Sequence, residues 1–197
     1  YSRNQRSMVY QRSKKILAAR PFGSDENQYL EDFNWLNHSI CPSKIEDDDF
    51  RVRIGEGKNA YDISVLNISG TSFGSISPKA IQSFSAGAKK GGFAHNTGEG
   101  SLSKYHERGG GDTIWQISTG YFGCRTQDGK FDEIQFAEKA KLKQVKMIEI
   151  KLSQGAKPGH GGMLLGAKVS PEIAEARNVP AYQDVISPHK HSEFSTP

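Results

Sequence analysis

The stretch MIEIKLSQGAKPGHGG, residues 147–162, joins a strand pattern to a glycine-rich loop. Ile148, Ile150 and Leu152 alternate with polar residues, which is the two-residue period of a β-strand with one apolar face. The loop that follows carries four glycines and a second lysine, Lys157. Because glycines let backbone N–H groups approach a ligand closely, this junction is a candidate site for an anionic ligand.

The charge of the chain is concentrated at one end. The 197 residues carry a net charge of +4 within an ordinary globular composition of 35% hydrophobic and 24% charged residues. The first twenty residues hold six basic residues and no acidic one, so the remainder is slightly acidic. This distribution does not indicate a nucleic-acid-binding face, and no nucleic-acid partner is expected. Two explanations fit the basic segment, a solvated helix or a position beside a membrane anchor upstream of Tyr1.

Cysteine and hydrophobic patterns limit the class of protein further. No stretch approaches the roughly 20 apolar residues that cross a bilayer, and no signal peptide opens the chain. Cys41 and Cys124 are the two cysteines, and they alone build neither a disulfide framework nor an iron–sulfur cluster. We therefore expect a cytoplasmic protein without a metal site in this segment. Attachment to the cytoplasmic face of the membrane is the alternative that an upstream anchor would bring.

Strand and helix signals alternate along most of the chain. Residues 50–69 alternate apolar and polar positions around a glycine turn, which predicts a hairpin running into a further strand, ISVLNIS. Ser77-Pro78 and Ser170-Pro171 are helix-start signals, and Asp132 with Gln135 resembles a capping box for a helix through Leu142. Trp35, Phe84 and Trp115 are assigned to the core. Further strands are predicted within 92–101, 113–118, 146–153 and 184–187.

This alternation predicts an α/β fold. Strands that alternate with helices form a parallel sheet, either doubly wound or closed as a (β/α)₈ TIM-type barrel, and ligands bind at the carboxyl ends of the strands. A complete barrel takes about 250 residues. Four or five strand units therefore predict roughly the first half of a barrel in residues 49–197, preceded by a lead-in segment of mixed charge in residues 1–48.

Two charged residues lie at predicted strand ends. An inward lysine at position 151 needs a partner, because burying an unpaired ammonium is costly; Glu149 and a bound ligand are the alternatives. Glu99, between two glycines, either pairs with a helix N-terminus or organises a site. The loop GAKPGHGG lacks the Lys-Ser/Thr pair of a P-loop, which disfavours a nucleoside triphosphate.

Three motifs carry a family resemblance. TSFGSIS (71–77), HNTGEG (95–100) and the long block 150–177 resemble, in this order, the FMN-binding synthase domain of glutamate synthases. The segment GGGDTIWQISTGYFGCR (109–125) is similar to the stand-alone, single-domain glutamate synthase-like proteins, and the match runs from about Pro21 to the last residue.

The resemblance implies a flavin barrel and a reaction. Reduced FMN would form L-glutamate from 2-oxoglutarate and ammonia through 2-iminoglutarate, with electrons from ferredoxin or a pyridine-nucleotide reductase partner. The iron–sulfur cysteines and the phosphate-binding loops of the family are not encoded in this segment. Such an enzyme belongs to the oxidoreductases acting on CH–NH₂ groups, and the segment by itself is expected to be inactive.

The resemblance also assigns roles to residues. It implies that Glu99, Lys151 and Lys157 are catalytic, which suits groups able to move protons. Lys151 would also stabilise the negative charge of a reduced flavin. The resemblance assigns the binding of the oxo acid to Gln154, Lys157 and Arg177. An arginine suits this role because it can donate two parallel hydrogen bonds to one carboxylate. The flavin is assigned to Thr71, Ser72, Phe73, Gly74 and Lys151.

Two other functions stay open at this point. The segment could be a non-catalytic half-barrel that another chain completes. It could also belong to a related flavin barrel acting on another oxo or imino acid, because one barrel fold hosts many reactions.

Overall fold

The computed structural model describes residues 1–16, 27–44, 50–153 and 161–195. It divides the chain into two compact units, Tyr1–Glu46 and Asp47–Pro197. The first unit contains helix α1 (Arg3–Ser13), which begins with a capping box between Ser2 and Gln5. Within the described ranges, no helix is both long and apolar enough to cross a membrane.

The second unit opens with the expected hairpin. Strands β1 (Arg51–Ile54) and β2 (Tyr61–Ser64) pair antiparallel, which confirms that prediction. The prediction that ISVLNIS forms one continuous strand is wrong, because β2 stops at Ser64 and Ile68 forms only an isolated parallel bridge. The side chain of Asn67 explains the break. Its amide donates to the Ser64 carbonyl at 2.6 Å and its oxygen accepts the Ala94 N–H at 3.0 Å, in place of ladder bonds.

A parallel sheet forms the centre of this unit. Strands β3 (Ala94–Asn96), β4 (Asp112–Ile117) and β5 (Val145–Ile150) are parallel and lie in the order β3-β4-β5. The bridge between Ile68 and His95 adds one residue of parallel pairing on the outer side of β3. The predicted α/β class is therefore confirmed.

Helices occupy the connections between the parallel segments. Helix α2 (Pro78–Gly91) precedes β3, α3 (Lys104–Gly109) lies between β3 and β4, and α4 (Glu133–Ala140) lies between β4 and β5. A helical crossover between successive parallel strands is the unit from which both doubly wound sheets and barrels are built.

The helix-start signals hold in the structure. Ser77 accepts the Ala80 N–H with its hydroxyl at the start of α2, and Ser170 caps α5 (Pro171–Arg177) in the same way. Asp132 caps α4, but that helix ends at Ala140 rather than at Leu142. The Gln135 amide donates to the Asp132 carboxylate instead of completing a capping box.

The last predicted strand has a different partner from the one expected. Strand β7 (Val185–Ile186) pairs antiparallel with β6 (Met163–Leu164) and does not join the parallel sheet. Ser187 continues this pairing, since its N–H donates to the Gly162 carbonyl at 2.9 Å and its hydroxyl accepts the Gly162 N–H at 3.0 Å. The two short strands therefore hold the segment after β5 against the segment after α5.

Burial separates two apolar clusters. One contains Trp115 and Tyr121 and is packed against by Phe136 and Ala140 of helix α4. The other is built from Phe73, Ile81, Phe122, Val169, Ile173, Ala174, Ala176 and Val185. Trp115 is fully buried as predicted, but Phe84 is 40% exposed and Trp35 is 67% exposed, so both assignments to the core are wrong. Ile150 at the end of β5 is 58% exposed, so the described residues do not cover the apolar face of that strand.

Candidate functional site at the carboxyl end of the sheet

Two loops touch backbone to backbone beside Glu99. Gly98 has a φ of +60°, and a Cβ there would lie 2.8 Å from the Ser72 nitrogen. A Cβ on Gly100 would lie 2.9 Å from both the nitrogen and the oxygen of Phe73. The Gly100 N–H also donates to the Ser72 hydroxyl at 3.2 Å. The glycines on either side of Glu99 are therefore needed to seat this carboxylate against the loop 71–74.

Lys151 and Glu99 form an ion pair. The Nζ of Lys151 lies 3.6 Å from Oε2 of Glu99, and the two side chains are 31% and 20% exposed. Glu149, the alternative partner expected for Lys151, instead accepts a hydrogen bond from the Gln116 amide. The structure therefore brings together two of the residues assigned to the same site from the sequence.

Arg177 is a buried cation with unmet hydrogen-bonding capacity. It is 5% exposed at the end of α5, and its Nη2 donates to the Phe73 carbonyl at 3.0 Å. Its guanidinium carbon lies 4.9 Å from the centre of the Phe122 ring. Within the described residues, Nε has no hydrogen-bond partner. Burial lowers the pKa of Arg177, and the negative charge of Glu99 acts in the opposite direction.

Glu99 and Arg177 line one cleft of about 270 Å³. Ligand pockets of proteins span about 300–1,000 Å³, so this volume suits a small metabolite rather than a whole nucleotide cofactor. The lining combines apolar and polar side chains. It includes Phe122, Leu164 and Val185 among the apolar residues and Ser72, Ser75, Glu99, Arg177 and Ser187 among the polar ones.

The other residues of the first loop have mainly structural contacts. Phe73 is buried in the core and packs against Tyr105, with ring centres 5.4 Å apart, so its backbone rather than its ring faces Arg177. Gly74 has a φ of +105°, and a Cβ there would lie 3.3 Å from Arg177 Nη2. The Thr71 hydroxyl donates to the Ser69 carbonyl at 3.3 Å.

Some assigned residues are not placed, and some placed residues were not assigned. Gln154 and Lys157 lie outside the described residues, so their roles stay predictions. Ser75 and Ser187 line the cleft but were not singled out in the sequence. Ser75 stands inside the motif TSFGSIS, which was a usable signal, whereas Ser187 reaches the cleft only through the pairing of β6 with β7.

Within the ranges that the structure describes, no three His, Cys, Asp or Glu side chains are grouped to hold a metal ion. The site is instead made of one carboxylate, two cations, hydroxyl groups and closely packed glycine loops. Such a donor set binds anionic organic ligands. Its position at the carboxyl ends of parallel strands is where α/β proteins bind their ligands.

Comparison with known proteins identifies the family. The sequence model for the conserved region in glutamate synthase matches residues 30–197, and the chain belongs to the glutamate synthase family. This agrees with the motifs that carried the resemblance in the sequence.

Several curated relatives are similar over much of the chain. The glutamate synthase large subunit-like protein YerD of Bacillus subtilis is 42% identical over 160 residues, which cover 79% of this chain and 30% of that protein. An archaeal glutamate synthase (NADPH) of Methanocaldococcus jannaschii is 32% identical over 181 residues, 92% of this chain and 32% of that protein. The chain thus spans about a third of the length of these relatives.

Proposed function

We propose that this chain forms the first half of the FMN-binding (β/α)₈ barrel of a glutamate synthase-like oxidoreductase. The alternation of parallel strands with helices from Ile68 to β5 supports a barrel, as do the exposed Ile148 and Ile150 at the end of β5. In a closed barrel this strand would pair with another on its free side, and its apolar face would be covered by outer helices. The reaction proposed is the reductive formation of L-glutamate from 2-oxoglutarate and ammonia.

The main observation that supports this proposal is the position of the Arg177 guanidinium. It is buried beside the cleft, and its Nε meets no acceptor within the described residues. A carboxylate of a small oxo acid in the cleft that Arg177 lines would accept from this guanidinium, and charge-assisted bonds of this kind are roughly twice as strong as neutral ones. Lys157 and Gln154, which follow β5 closely in the sequence, are proposed to bind the same oxo acid.

The residues present fit one edge of a flavin rather than the whole cofactor. The loop 71–74 packs against the glycines that flank Glu99, and the Lys151 ammonium pairs with that carboxylate. Lys151 would balance the negative charge of a reduced flavin, which is a usual contribution of a protein to flavin chemistry. When bound, the flavin supplies the hydride that reduces the imine carbon.

Glu99 and Lys151 are proposed to handle protons at the oxo acid. A carboxylate and an ammonium 3.6 Å apart can exchange roles as acceptor and donor while a carbonyl is converted to an imine. Their partial burial excludes bulk water from one side of the pair and strengthens their electrostatic effect. Lys157 is proposed as the further catalytic lysine.

The remaining partners follow from the reaction. Ammonia is the nitrogen donor, and the electrons come from ferredoxin or from a pyridine-nucleotide reductase. The name of the Methanocaldococcus jannaschii relative, an archaeal glutamate synthase (NADPH), favours the pyridine nucleotide as the ultimate source. We propose that the protein works in the cytoplasm or at the cytoplasmic face of the membrane.

The proposal is tested on the full-length protein that contains this chain. Native mass spectrometry should find one FMN per protomer, and calorimetry should find that 2-oxoglutarate binds at least about tenfold tighter than pyruvate, because Arg177 needs a second carboxylate. FMN without glutamate formation would leave a related flavin barrel with another oxo acid. A protein that binds neither FMN nor oxo acid would instead be a non-catalytic subunit.

A further inference from the structure

The segment after β7 lies across the ends of two parallel strands. The Thr119 hydroxyl, just beyond β4, donates to the Pro188 carbonyl at 2.5 Å. Three residues later, His191 is 4% exposed and stacks on Phe194 with ring centres 4.4 Å apart. This segment therefore brings a buried imidazole to the carboxyl edge of the sheet, near the residues that form the cleft.

Both ring nitrogens of His191 have partners. Nε2 lies 2.9 Å from the Lys151 carbonyl oxygen, and Nδ1 lies 2.9 Å from the Tyr121 hydroxyl. A carbonyl oxygen only accepts, so we assign the ring hydrogen to Nε2. In the neutral ring, Nδ1 then accepts from the Tyr121 hydroxyl, and the chain of bonds runs from Tyr121 through His191 to Lys151.

This contact fixes the backbone from which the Lys151 side chain extends. The Lys151 N–H donates to the Ile117 carbonyl of β4 at 2.8 Å, and the Lys151 carbonyl accepts from His191. Residue 151 lies one position beyond the last residue of β5, so the histidine bond takes the place of a ladder bond there. With its backbone held on both sides, Lys151 directs its ammonium to Glu99 at 3.6 Å.

We propose that His191 is a positioning residue for Lys151, acting through the carbonyl of that lysine. The importance of Lys151 for turnover rests on the function proposed above, but the positioning itself is a property of the chain. Loss of the Nε2 donor would remove one of the hydrogen bonds that hold the Lys151 backbone and would loosen the contact of its ammonium with Glu99. Tyr121 contributes by holding the imidazole in the tautomer that donates to Lys151.

Isosteric variants separate positioning from packing. His191→Gln places an amide donor near the position of Nε2 and keeps the bond to Lys151. His191→Asn places its amide near Nδ1, reaches Tyr121 and loses the bond to Lys151. His191→Met fills the space without any donor, and thermal unfolding followed by circular dichroism checks that each variant folds.

The readout is acetylation of Lys151 by acetic anhydride in the unliganded full-length protein, quantified by peptide mass spectrometry. Lys130, whose side chain is 71% exposed, serves as the internal standard. We expect the Asn and Met variants to label about fivefold faster at Lys151 than the wild type, the equivalent of one lost hydrogen bond. The Gln variant should stay within about twofold of the wild type.

The outcomes distinguish this inference from the proposed function. Equal labelling of Lys151 in the wild type and the folded Asn and Met variants would overturn it, and so would equal increases in all three variants. Unfolding of both the Asn and the Met variant would also overturn it, because His191 would then serve the fold as a whole. Labelling needs no turnover, so the positioning of Lys151 is decided even if the wild type makes no glutamate. In an active enzyme, the Asn variant should lower kcat more than it raises KM.

Discussion

Glu99 and Lys151 meet across the end of a strand that separates their own strands. Glu99 follows β3 and Lys151 follows β5, while β4 lies between these two strands in the sheet. Their side chains nevertheless approach to 3.6 Å above the end of β4. The pair therefore depends on the common carboxyl edge of a parallel sheet, and it places opposite charges where α/β proteins bind ligands.

Removing either charge of this pair should affect turnover far more than stability. We expect Lys151→Met and Glu99→Gln to lower kcat by at least about 100-fold in the full-length enzyme, the usual contribution of a positioned proton-transfer group. Because the two side chains are only 31% and 20% exposed, removing one charge leaves the other poorly solvated, and the free energy of unfolding should fall by about 1–2 kcal/mol. Steady-state kinetics and urea unfolding measure the two effects.

The exposed pair Arg53–Asp62, at 3.2 Å in the hairpin, supplies the control. Arg53→Met should leave both kcat and stability unchanged. If Lys151→Met retained wild-type turnover, the ion pair would belong to the fold and not to the reaction.

Arg177 should contribute to both ligand binding and folding. Its Nη2 bond to the Phe73 carbonyl predicts that Arg177→Ala costs about 1–3 kcal/mol of unfolding free energy, because a buried acceptor loses its donor. The same variant should weaken 2-oxoglutarate binding by about 2–5 kcal/mol. Arg177→Lys keeps the charge without the planar fork and should recover only part of that affinity.

Calorimetry with 2-oxoglutarate and with pyruvate distinguishes the two effects of Arg177. A general loss of structure would weaken the binding of both ligands equally. Selective loss of 2-oxoglutarate affinity identifies contact with the second carboxylate. Unchanged affinity for both ligands in a folded Arg177→Ala protein would remove this residue from the site.

The glycines beside Glu99 should not tolerate a methyl group. Gly98→Ala combines a left-handed φ of +60° with a Cβ 2.8 Å from the Ser72 nitrogen, and we expect a loss of about 1–3 kcal/mol in unfolding free energy. Gly87→Ala is the matched control, because a Cβ there meets nothing within 4 Å and the residue is inside α2. That substitution should stabilise the protein by about 0.5–1 kcal/mol. Equal effects of the two changes on urea unfolding would contradict the close contact of the loops.

A buried histidine pair should make the protein sensitive to acid. His95 and His106 are fully buried with ring centres 5.0 Å apart, and burial lowers the pKa of His95 to about 4 and that of His106 to about 3. The unfolded chain binds protons below about pH 6.5 while the folded chain does not, so stability is present above that pH and is lost as the pH falls toward 4. The lowered pKa of His95 alone should reduce the free energy of unfolding by about 3 kcal/mol over this range.

Urea unfolding across the pH range measures this effect. Both ring nitrogens of His95 lack a partner within the described residues, so His95→Leu leaves no donor unpaired and should flatten the acid slope. His38 is exposed, and His38→Leu should leave the slope as it is. An unchanged slope in His95→Leu would show that other groups cause the acid sensitivity.

Local signals in the sequence predicted the elements better than their pairing. Ser77 and Ser170 start helices because each serine hydroxyl accepts a backbone N–H of the first helical turn, and the proline that follows has no N–H to satisfy. All of these groups lie within a few residues of one another in the sequence. The strand pairing of Val185 and Ile186 with Met163 and Leu164 has no such local signal, and it was expected in the parallel sheet. The side chain of Asn67 broke the predicted strand through a bond to Ala94, which no spacing in the sequence reveals.

The motifs assigned residues to the candidate site, but the sequence did not predict the contacts that bring those residues together. Glu99 and Lys151 were assigned from motifs, and their approach follows from parallel strands ending at one edge. The contact of Arg177 with the Phe73 carbonyl joins residues distant in sequence, and the contact of His191 with the Lys151 carbonyl involves a backbone atom. Backbone acceptors exist at every position, so a sequence pattern does not single them out.

The most direct test of the proposed function is a single anaerobic turnover of the full-length protein. The flavin is reduced, mixed with 2-oxoglutarate and ¹⁵N-labelled ammonia, and followed by absorbance while labelled glutamate is quantified by mass spectrometry. We expect the flavin to be reoxidised as one labelled glutamate forms per flavin, and 2-oxoglutarate without ammonia to leave it reduced. A flavin that stays reduced with both substrates present, or that is reoxidised without labelled glutamate, would contradict the proposed function.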